Sequence, residues 1–436
     1  MRTTRKRALT LIAGITGIAL LTAGCGGGDG DGEDEATGGD EPATTDEEIT
    51  LTISTFNEWG YDALLDQYMD ENPNITIEHN RFATSNEARD QFNTSLAAGS
   101  GLADVVGVEV DWMPEIMQNA DQFVDLTSDS VEGRWQDWKV GQATTPDGRL
   151  LGYGTDIGPE AIAYRSDLFA AAGLPTDRAE VAELFGGEGA TWDDFYAVGE
   201  QFTAASDVPF FDSSQAIYQG MVNQLEAAYE NPEDDSIIAV DNAEVRDLYD
   251  TIMSHTDLSA GLGQWGEDWT NAFQNNGFAV MLAPSWMLGV ISGNADGVVG
   301  WDVADVFPEG GNWGGSFLTV PTTSEYPAEA QALADWLTAP EQQLVAFQTT
   351  GNFPSQVEAQ TSDELAAITN EFFNNAPIGE IFANRADAVS VAPYKGPNYF
   401  AINDAMAQAI NRVDVDKTDD AESSWAKWVD AVAALG

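Results

Sequence analysis

The chain has 436 residues, of which 73 are acidic and 17 are basic, giving a formal net charge of −56 at pH 7. This charge argues against nucleic acid and anionic lipid surfaces as partners, because both are polyanions that the chain would repel. The length exceeds that of one ordinary hydrophobic core and predicts two domains or lobes. The acidic residues are spread along the whole chain, which is typical of a solvated surface tuned for solubility or high salt.

Residues 1–24 are predicted to be a signal peptide. Four basic residues precede an apolar run over residues 8–21, which is too short to span about 30 Å of hydrocarbon. The only cysteine, Cys25, follows Ala23 and Gly24, and this stretch resembles the bacterial lipobox, although Thr22 stands where leucine is commonest. We therefore expect a lipid on Cys25; a general secretory signal with a chance cysteine is the alternative.

Residues 25–48 are predicted to be a disordered acidic tether, because they are rich in glycine and acidic residues and lack apolar periodicity. A tether between a lipid and a folded body predicts a protein at the outer face of the cytoplasmic membrane. It would lie on the periplasmic side if a second membrane is present, and the anchor would be its one contact with the membrane.

The hydrophobic pattern of residues 49–108 predicts the order strand, helix, strand, helix and strand. This order predicts parallel strands covered by helices. Ligands of open α/β sheets bind beyond the carboxyl ends of the strands. We therefore expect two segments at one edge of a cleft. They are Asn57, Glu58 and Trp59 after the first strand, and Asp111 and Trp112 after the third.

Residues 147–175 read as a turn, an apolar strand, a tight passage with Gly154 and Gly158, a second strand and a short helix. Both flanks have the pattern of α/β structure, so we expect this segment to cross between two lobes. It would then provide a hinge and the floor of a cleft, with Asp156 facing that cleft.

The second half of the chain carries tryptophans in loops that have poor helical or strand periodicity, among them Trp265, Trp286 and Trp313. A flat aromatic ring suits the C–H face of a pyranose, while the sugar hydroxyls need carboxylates and amides nearby. Asp212 is a further candidate for such a hydroxyl contact. Packing inside the protein is the alternative role for each of these rings.

Several stretches, in order along nearly the whole mature chain, resemble the extracellular solute-binding protein family 1, whose members deliver sugars to ABC importers. They include LTISTFNEW, LADVVGVEVDWMPEI, GTDIGPEAIAYRSDLF, FQNNGFAVMLAPSW and GGSFLTVP. The resemblance implies an α/β, two-lobed periplasmic-binding-protein fold of type II, each lobe being a mostly parallel sheet flanked by helices. It also implies lobes of residues 49–157 with 318–365 and 158–317 with 366–436, no enzymatic activity and no cofactor. Its partners would be a carbohydrate and the transmembrane subunits of an ABC permease, with the protein itself a monomer.

From these observations we expect a receptor for a di- or oligosaccharide, with a cellobiose-type β-glucoside as the first candidate. An anchored glycoside hydrolase and a receptor of the same fold for a non-sugar solute are the alternatives. His79 and His255 have no neighbours with metal-ligand spacing, so no metal site is expected. The predicted ligand-binding residues are Asn57, Glu58, Trp59, Asp111, Trp112, Asp156, Asp212, Trp265, Trp286 and Trp313.

Overall fold

The computed structural model describes residue 45 and residues 47–436. The predicted signal peptide, the predicted lipidation site at Cys25 and most of the predicted tether lie outside the described residues. Among the described residues, no helix has the length and apolar character that a membrane span requires.

The strands within residues 47–436 are short and scattered along the chain. They are β1 (Ile49–Phe56), β2 (Ile75–Phe82), β3 (Val105–Glu109), β4 (Tyr153–Gly154), β5 (Asp156–Ile157), β6 (Glu160–Arg165), β7 (Val280–Pro284), β8 (Trp301–Ala304), β9 (Ser316–Thr319) and β10 (Phe353–Pro354).

Helices connect and cover these strands. They are α1 (Asp62–Glu71), α2 (Ser85–Ala98), α3 (Met113–Gln118), α4 (Asp137–Gln142), α5 (Ser166–Ala171), α6 (Arg178–Leu184), α7 (Trp192–Thr203), α8 (Ser214–Val222), α9 (Ala243–Ser254), α10 (Glu267–Ala272), α11 (Met287–Asn294), α12 (Pro327–Leu337), α13 (Pro340–Thr350), α14 (Val357–Gln360), α15 (Asp363–Ala366), α16 (Ile378–Asp387), α17 (Tyr399–Asp414) and α18 (Ala421–Ala433).

The first lobe is built on a sheet with the strand order β2-β1-β3-β9-β4. β1 pairs in parallel with β2 and with β3, as the sequence pattern predicts. β9 comes from much later in the chain and joins the sheet antiparallel to β3, and β4 then pairs antiparallel with β9. The apolar residues of these strands, such as Leu51, Val105 and Leu318, form one buried cluster with α1, α2 and α12.

The second lobe is built on a sheet with the order β7-β6-β8, in which both neighbours run antiparallel to β6. The prediction of a mostly parallel sheet was therefore wrong for this lobe. β6 carries the chain away from the first lobe, whereas β7 and β8 carry it back. Loops that follow β7 and β8 consequently lie near the junction of the lobes, and these loops contain Trp286 and Trp313.

The chain crosses between the lobes at closely packed segments. β5 pairs antiparallel with β10, and the Trp313 amide donates to the Gly158 carbonyl oxygen at 2.8 Å. A Cβ atom on Gly158 would lie 1.8 Å from the Trp313 carbonyl oxygen, so only glycine fits at this crossing.

The limits of the lobes given above remain a prediction. The side chains nevertheless indicate where the third crossing lies, because Phe353 and Leu365 both belong to a buried cluster with Trp301 and Met281 of the second lobe. We propose that this crossing lies nearer to Gly351 than to residue 365.

Candidate ligand-binding cleft

A cleft of about 1110 Å³ opens between the two lobes and is lined by residues from both. Eight of the ten predicted residues line it. They are Asn57, Glu58, Trp59, Asp111, Asp156, Trp265, Trp286 and Trp313.

Trp112 and Asp212 are the two predicted residues that do not line the cleft. After β3 the chain enters a 3-10 helix over Val110–Trp112, which turns Asp111 toward the cleft and Trp112 into the core. The Trp112 side chain is fully buried, and its Nε1 donates to Ser85 Oγ at 3.0 Å. The expectation that Trp112 lies at the cleft was therefore wrong, because the order of residues after a strand does not fix the direction of the turn.

Asp212 lies one layer behind the cleft wall and is fully buried. Its Oδ2 accepts hydrogen bonds from Trp269 Nε1 at 2.8 Å and from Gln264 Nε2 at 3.0 Å. Burial raises the pKa of Asp212 to about 6, although the hydrogen bonds from Gln264 and Trp269 oppose the increase. Asp212 thus holds Gln264, which precedes Trp265, and Trp269, whose ring centroid lies 5.3 Å from that of Trp265, and it does so from behind the cleft wall.

The wall formed by the first lobe is polar. Glu58 contacts Arg81 Nη1 at 2.5 Å through Oε1, and Asn57 adopts a positive φ of 48° directly after β1. Trp59 is 6% exposed and packs edge-on against Phe56 and Tyr61. This wall therefore offers carboxylate, amide and guanidinium groups, with only a small part of one indole ring.

The wall formed by the second lobe is aromatic. The Trp265 and Trp286 rings are stacked, with centroids 6.2 Å apart and planes at 17°. Trp286 then meets Trp313 edge-on at 5.7 Å, and its Nε1 donates to the Trp313 carbonyl oxygen at 2.9 Å. Trp265 is 42% exposed and has a positive φ of 69°, a backbone conformation that is uncommon for a bulky residue.

The floor of the cleft contains buried charges. Asp156 Oδ1 accepts hydrogen bonds from the Ser316 amide at 2.9 Å and from Thr155 Oγ1 at 2.7 Å. Lys139 lies beneath it, with its Nζ 3.7 Å from the Phe317 ring centroid. Burial lowers the pKa of Lys139 to about 7, and the neighbouring Asp156 and Glu109 oppose this decrease.

Glu109 belongs to the same group of charges and lines the cleft. Its Oε2 accepts a hydrogen bond from the Asp111 amide at 2.8 Å. Burial and the adjacent Asp111 carboxylate raise the pKa of Glu109 to about 8. A carboxyl group that retains its proton near neutral pH donates one hydrogen bond as well as accepting others, which widens the set of hydroxyl contacts that the floor can make.

Lys139, Lys395 and Phe400 could not be recognised as part of the cleft from the sequence alone, whereas Glu109 follows the predicted third strand beside the predicted Asp111. Phe400 lines the cleft, and Lys395 forms an ion pair with Asp111. One sequence signal pointed to the two lysines, because only four lysines occur after the N-terminal segment and two of them lie at this junction. Within the described part of the chain, no group of three or more His, Cys, Asp or Glu side chains is placed to hold a metal ion.

Comparisons with known proteins agree with this architecture. Residues 63–373 match the family described as bacterial extracellular solute-binding protein. A crystal structure described as extracellular solute-binding protein family 1 is 46% identical, with a TM-score of 0.78 over 88% of this chain and 99% of that chain.

More distant relatives are also similar. The binding protein of B. animalis subsp. lactis Bl-04 in complex with β-1,6-galactobiose is 18% identical, with a TM-score of 0.75 over 89% of this chain and 97% of its own, which shows a shared fold. The arabinooligosaccharide-binding protein of Bacillus subtilis is 24% identical over 255 residues. That match spans 56% of this chain and 56% of the relative, so the chain covers little more than half the length of this curated relative.

The shared architecture confirms the predicted two-lobed α/β fold of type II. The family consists of binding proteins, in agreement with the expectation that the chain is not an enzyme. Because the family match extends over most of the sequence, this chain belongs to the bacterial extracellular solute-binding proteins.

Proposed function

We propose that the protein captures a neutral di- or oligosaccharide in the interlobe cleft and delivers it to an ABC permease. The observation that carries this proposal is the row formed by Trp265, Trp286 and Trp313, which faces a wall of carboxylate and amide groups. Aromatic rings cover the apolar faces of sugars, and the opposite wall can bond to their hydroxyls. The cleft volume of about 1110 Å³ is large for a small-molecule site and leaves room for more than one sugar ring.

The charges of the lining favour a neutral sugar over an acidic one. Among the described residues that line the cleft, the carboxylates are Glu58, Asp111, Asp156 and Asp404, while Glu109 has a raised pKa, and the guanidinium is that of Arg81. Arg81 is already bound to Glu58 and Asp62. An anionic ligand would therefore meet carboxylates without a free cation to neutralise it.

The relatives support a carbohydrate without fixing its identity. The curated relatives are named for arabinooligosaccharide binding, and a structural neighbour was solved with β-1,6-galactobiose. A cellobiose-type β-glucoside remains our first candidate from the sequence. A ligand that touches both walls would stabilise the closed arrangement of the lobes, since closure depends on contacts made only in that state.

The location and assembly of the protein are also proposed. We infer a monomer held at the outer face of the cytoplasmic membrane by a lipid on Cys25. Mass spectrometry of the membrane fraction would test this, because a lipidated chain gains the mass of a diacylglyceryl group and loses residues 1–24. A secreted chain that retains a free thiol at Cys25 would contradict it.

The proposed activity is tested by titrating the chain with glucose, cellobiose, maltose, xylobiose, an arabino-oligosaccharide and an acidic disaccharide. Calorimetry would measure binding, and chromatography would then identify the recovered sugar. We expect saturable binding of at least one neutral oligosaccharide, no binding of the acidic one, and recovery of the sugar intact. Cleaved sugar would indicate a glycoside hydrolase, and no binding across the panel would indicate a non-sugar solute; either result would overturn the proposal.

A further inference from the structure

One side of the cleft is bridged by the segment from Lys395 to Phe400, which belongs to the second lobe. The preceding loop is fixed to that lobe, because the Tyr394 amide donates to the Glu226 carbonyl oxygen at 2.8 Å. Glu230 Oε1 accepts from the Asn398 amide at 2.9 Å and from Asn398 Nδ2 at 3.0 Å. Glu230 is 1% exposed, so the segment is anchored from within the second lobe before it reaches the first.

Lys395 makes the first contact across the cleft. Its Nζ forms an ion pair with Asp111 Oδ1, and Asp111 belongs to the loop after β3 of the first lobe. The two side chains are 7% and 14% exposed, respectively. Lys395 Nζ also lies 4.6 Å from the ring centroid of Tyr399, the first residue of α17. Bulk solvent therefore screens this ion pair less than it would screen an exposed pair.

Phe400 makes the second contact, which is a cation–π interaction and not an ion pair. The Arg89 guanidinium of α2 lies 3.9 Å from the centroid of the Phe400 ring, a cation–π distance. Arg89 is held in place by Glu115, with Nε 2.8 Å from Oε1. Phe400 also packs against the buried cluster of the first lobe, although its helix belongs to the second.

We propose that residues 395–400 form an interlobe latch that holds the two lobes together on one side of the cleft before any ligand binds. Both contacts are made by protein groups alone; Lys395 and Arg89 do not line the cleft, whereas their partners Asp111 and Phe400 do. If the binding-competent arrangement has population f in the free protein, the apparent dissociation constant is the intrinsic one divided by f. The latch thus raises affinity by keeping f high, whichever solute the cleft takes.

The first test measures the distance between two spin labels, one on each lobe of the ligand-free chain, by double electron–electron resonance. The full chain would carry Cys25→Ser, with spin labels introduced by Gln67→Cys on α1 and Glu200→Cys on α7, both exposed positions. Lys395→Met removes the ammonium group while keeping an unbranched side chain. Lys427→Met is the matched control, because Lys427 is an exposed lysine of the second lobe that pairs with Asp419.

We expect Lys395→Met to move the distance distribution toward longer and broader values, and Lys427→Met to leave it unchanged. Arg89→Gln removes the second contact and should act in the same direction as Lys395→Met. The exchange of Asp111→Lys with Lys395→Asp should restore the original distribution, because it reverses the pair without removing it. Circular dichroism would confirm that each variant is folded. If Lys395→Met does not fold, the double variant Asp111→Lys with Lys395→Asp still tests the latch.

The second test measures affinity for whichever sugar binds the unmodified chain. Lys395→Met should weaken binding by about tenfold, as expected if f falls about tenfold, and Lys427→Met should not weaken it. The distance measurement needs no ligand, so its outcome is independent of the proposed sugar binding. Identical distance distributions for the unmodified chain, Lys395→Met and Arg89→Gln would overturn the latch.

Discussion

The exposed ring of Trp265 is the part of the aromatic wall whose removal should affect binding most and folding least. It is 42% exposed, whereas Trp286 and Trp313 are partly buried and bonded to each other. We therefore expect Trp265→Ala to weaken oligosaccharide binding while the chain remains folded. The same change at Trp286 would also disturb the packing of Trp313 and the chain crossing beneath it.

The size of the effect follows from the area that a ligand can cover. A tryptophan side chain presents up to about 250 Å², of which 42% is exposed here, leaving about 100 Å² for contact with a sugar. At about 25 cal/mol per Å² the upper limit is about 2.5 kcal/mol. Covering half of this surface gives about 1.3 kcal/mol, so the dissociation constant should rise by roughly 10- to 70-fold.

The backbone at Trp265 supplies a second, independent expectation. Its φ of 69° costs a residue with a Cβ atom about 1 to 2 kcal/mol, whereas glycine adopts this conformation freely but loses more entropy on folding. Trp265→Gly should therefore be more stable than Trp265→Ala by about 0.5 to 1 kcal/mol. The two variants should lose the same affinity, because both lack the ring.

Calorimetric titration with the best sugar of the panel would measure affinity, and urea denaturation would measure stability. Trp138→Ala is the control, since Trp138 is a partly buried tryptophan outside the cleft lining whose Nε1 donates only to Gln136. Unchanged affinity in both Trp265 variants would refute the assignment of this ring to the ligand. A loss of affinity in Trp138→Ala of similar size would show that the effect is not specific to the cleft.

Three further predictions concern groups that the fold buries. Because the pKa of Asp212 is raised from 3.8 to about 6, its stabilising contribution is complete only well below pH 3.8 and is lost as pH rises through 6. The unfolding free energy of the unmodified chain minus that of Asp212→Asn should fall by about 2.4 kcal/mol between pH 4 and 7 in urea titrations; a constant difference would contradict this. Glu160 is fully buried, and neither carboxyl oxygen has a hydrogen-bond partner among the described residues, so Glu160→Met should raise the unfolding free energy by about 1 to 3 kcal/mol. A Glu160→Met variant that is no more stable in urea than Glu160→Gln would contradict this. Gly158→Ala should lower the unfolding free energy by about 3 kcal/mol, because its Cβ would clash with the Trp313 carbonyl oxygen. Gly141→Ala is the control, because a Cβ there meets nothing within 4 Å, and thermal unfolding should show no loss of stability.

Much of the cleft could be predicted because it depends on local rules. Strands are visible in a sequence as alternating or continuous apolar residues. Polar residues just after parallel strands meet at one edge of the sheet. Asn57, Glu58 and Asp111 lie in the cleft for that reason. The segment around Asp156 and Gly158 was predicted as a glycine-containing turn between two apolar strands, and it does cross between the lobes.

The direction of a side chain at the end of a strand could not be predicted in the same way. Asp111 and Trp112 are adjacent in sequence, yet the 3-10 helix places one in the cleft and the other in the core. Asp212 likewise follows an apolar run, and only its hydrogen bonds to Gln264 and Trp269 place it behind the wall. The direction that the backbone takes after the strand decides whether each side chain enters the cleft or the core. The sequence pattern does not specify this direction.

The sequence by itself predicted the two-lobed α/β plan, the crossing at residues 154–158 and tryptophans at the cleft, because periodicity and turn chemistry are local properties. Tertiary structure alone decided the antiparallel pairing of the second sheet and the burial of Lys139 beneath Asp156. It also decided the contact between Lys395 and Asp111, which are separated by 284 residues. The physical reason is that these contacts join residues distant in the chain, and they form only when both lobes have folded and packed against each other.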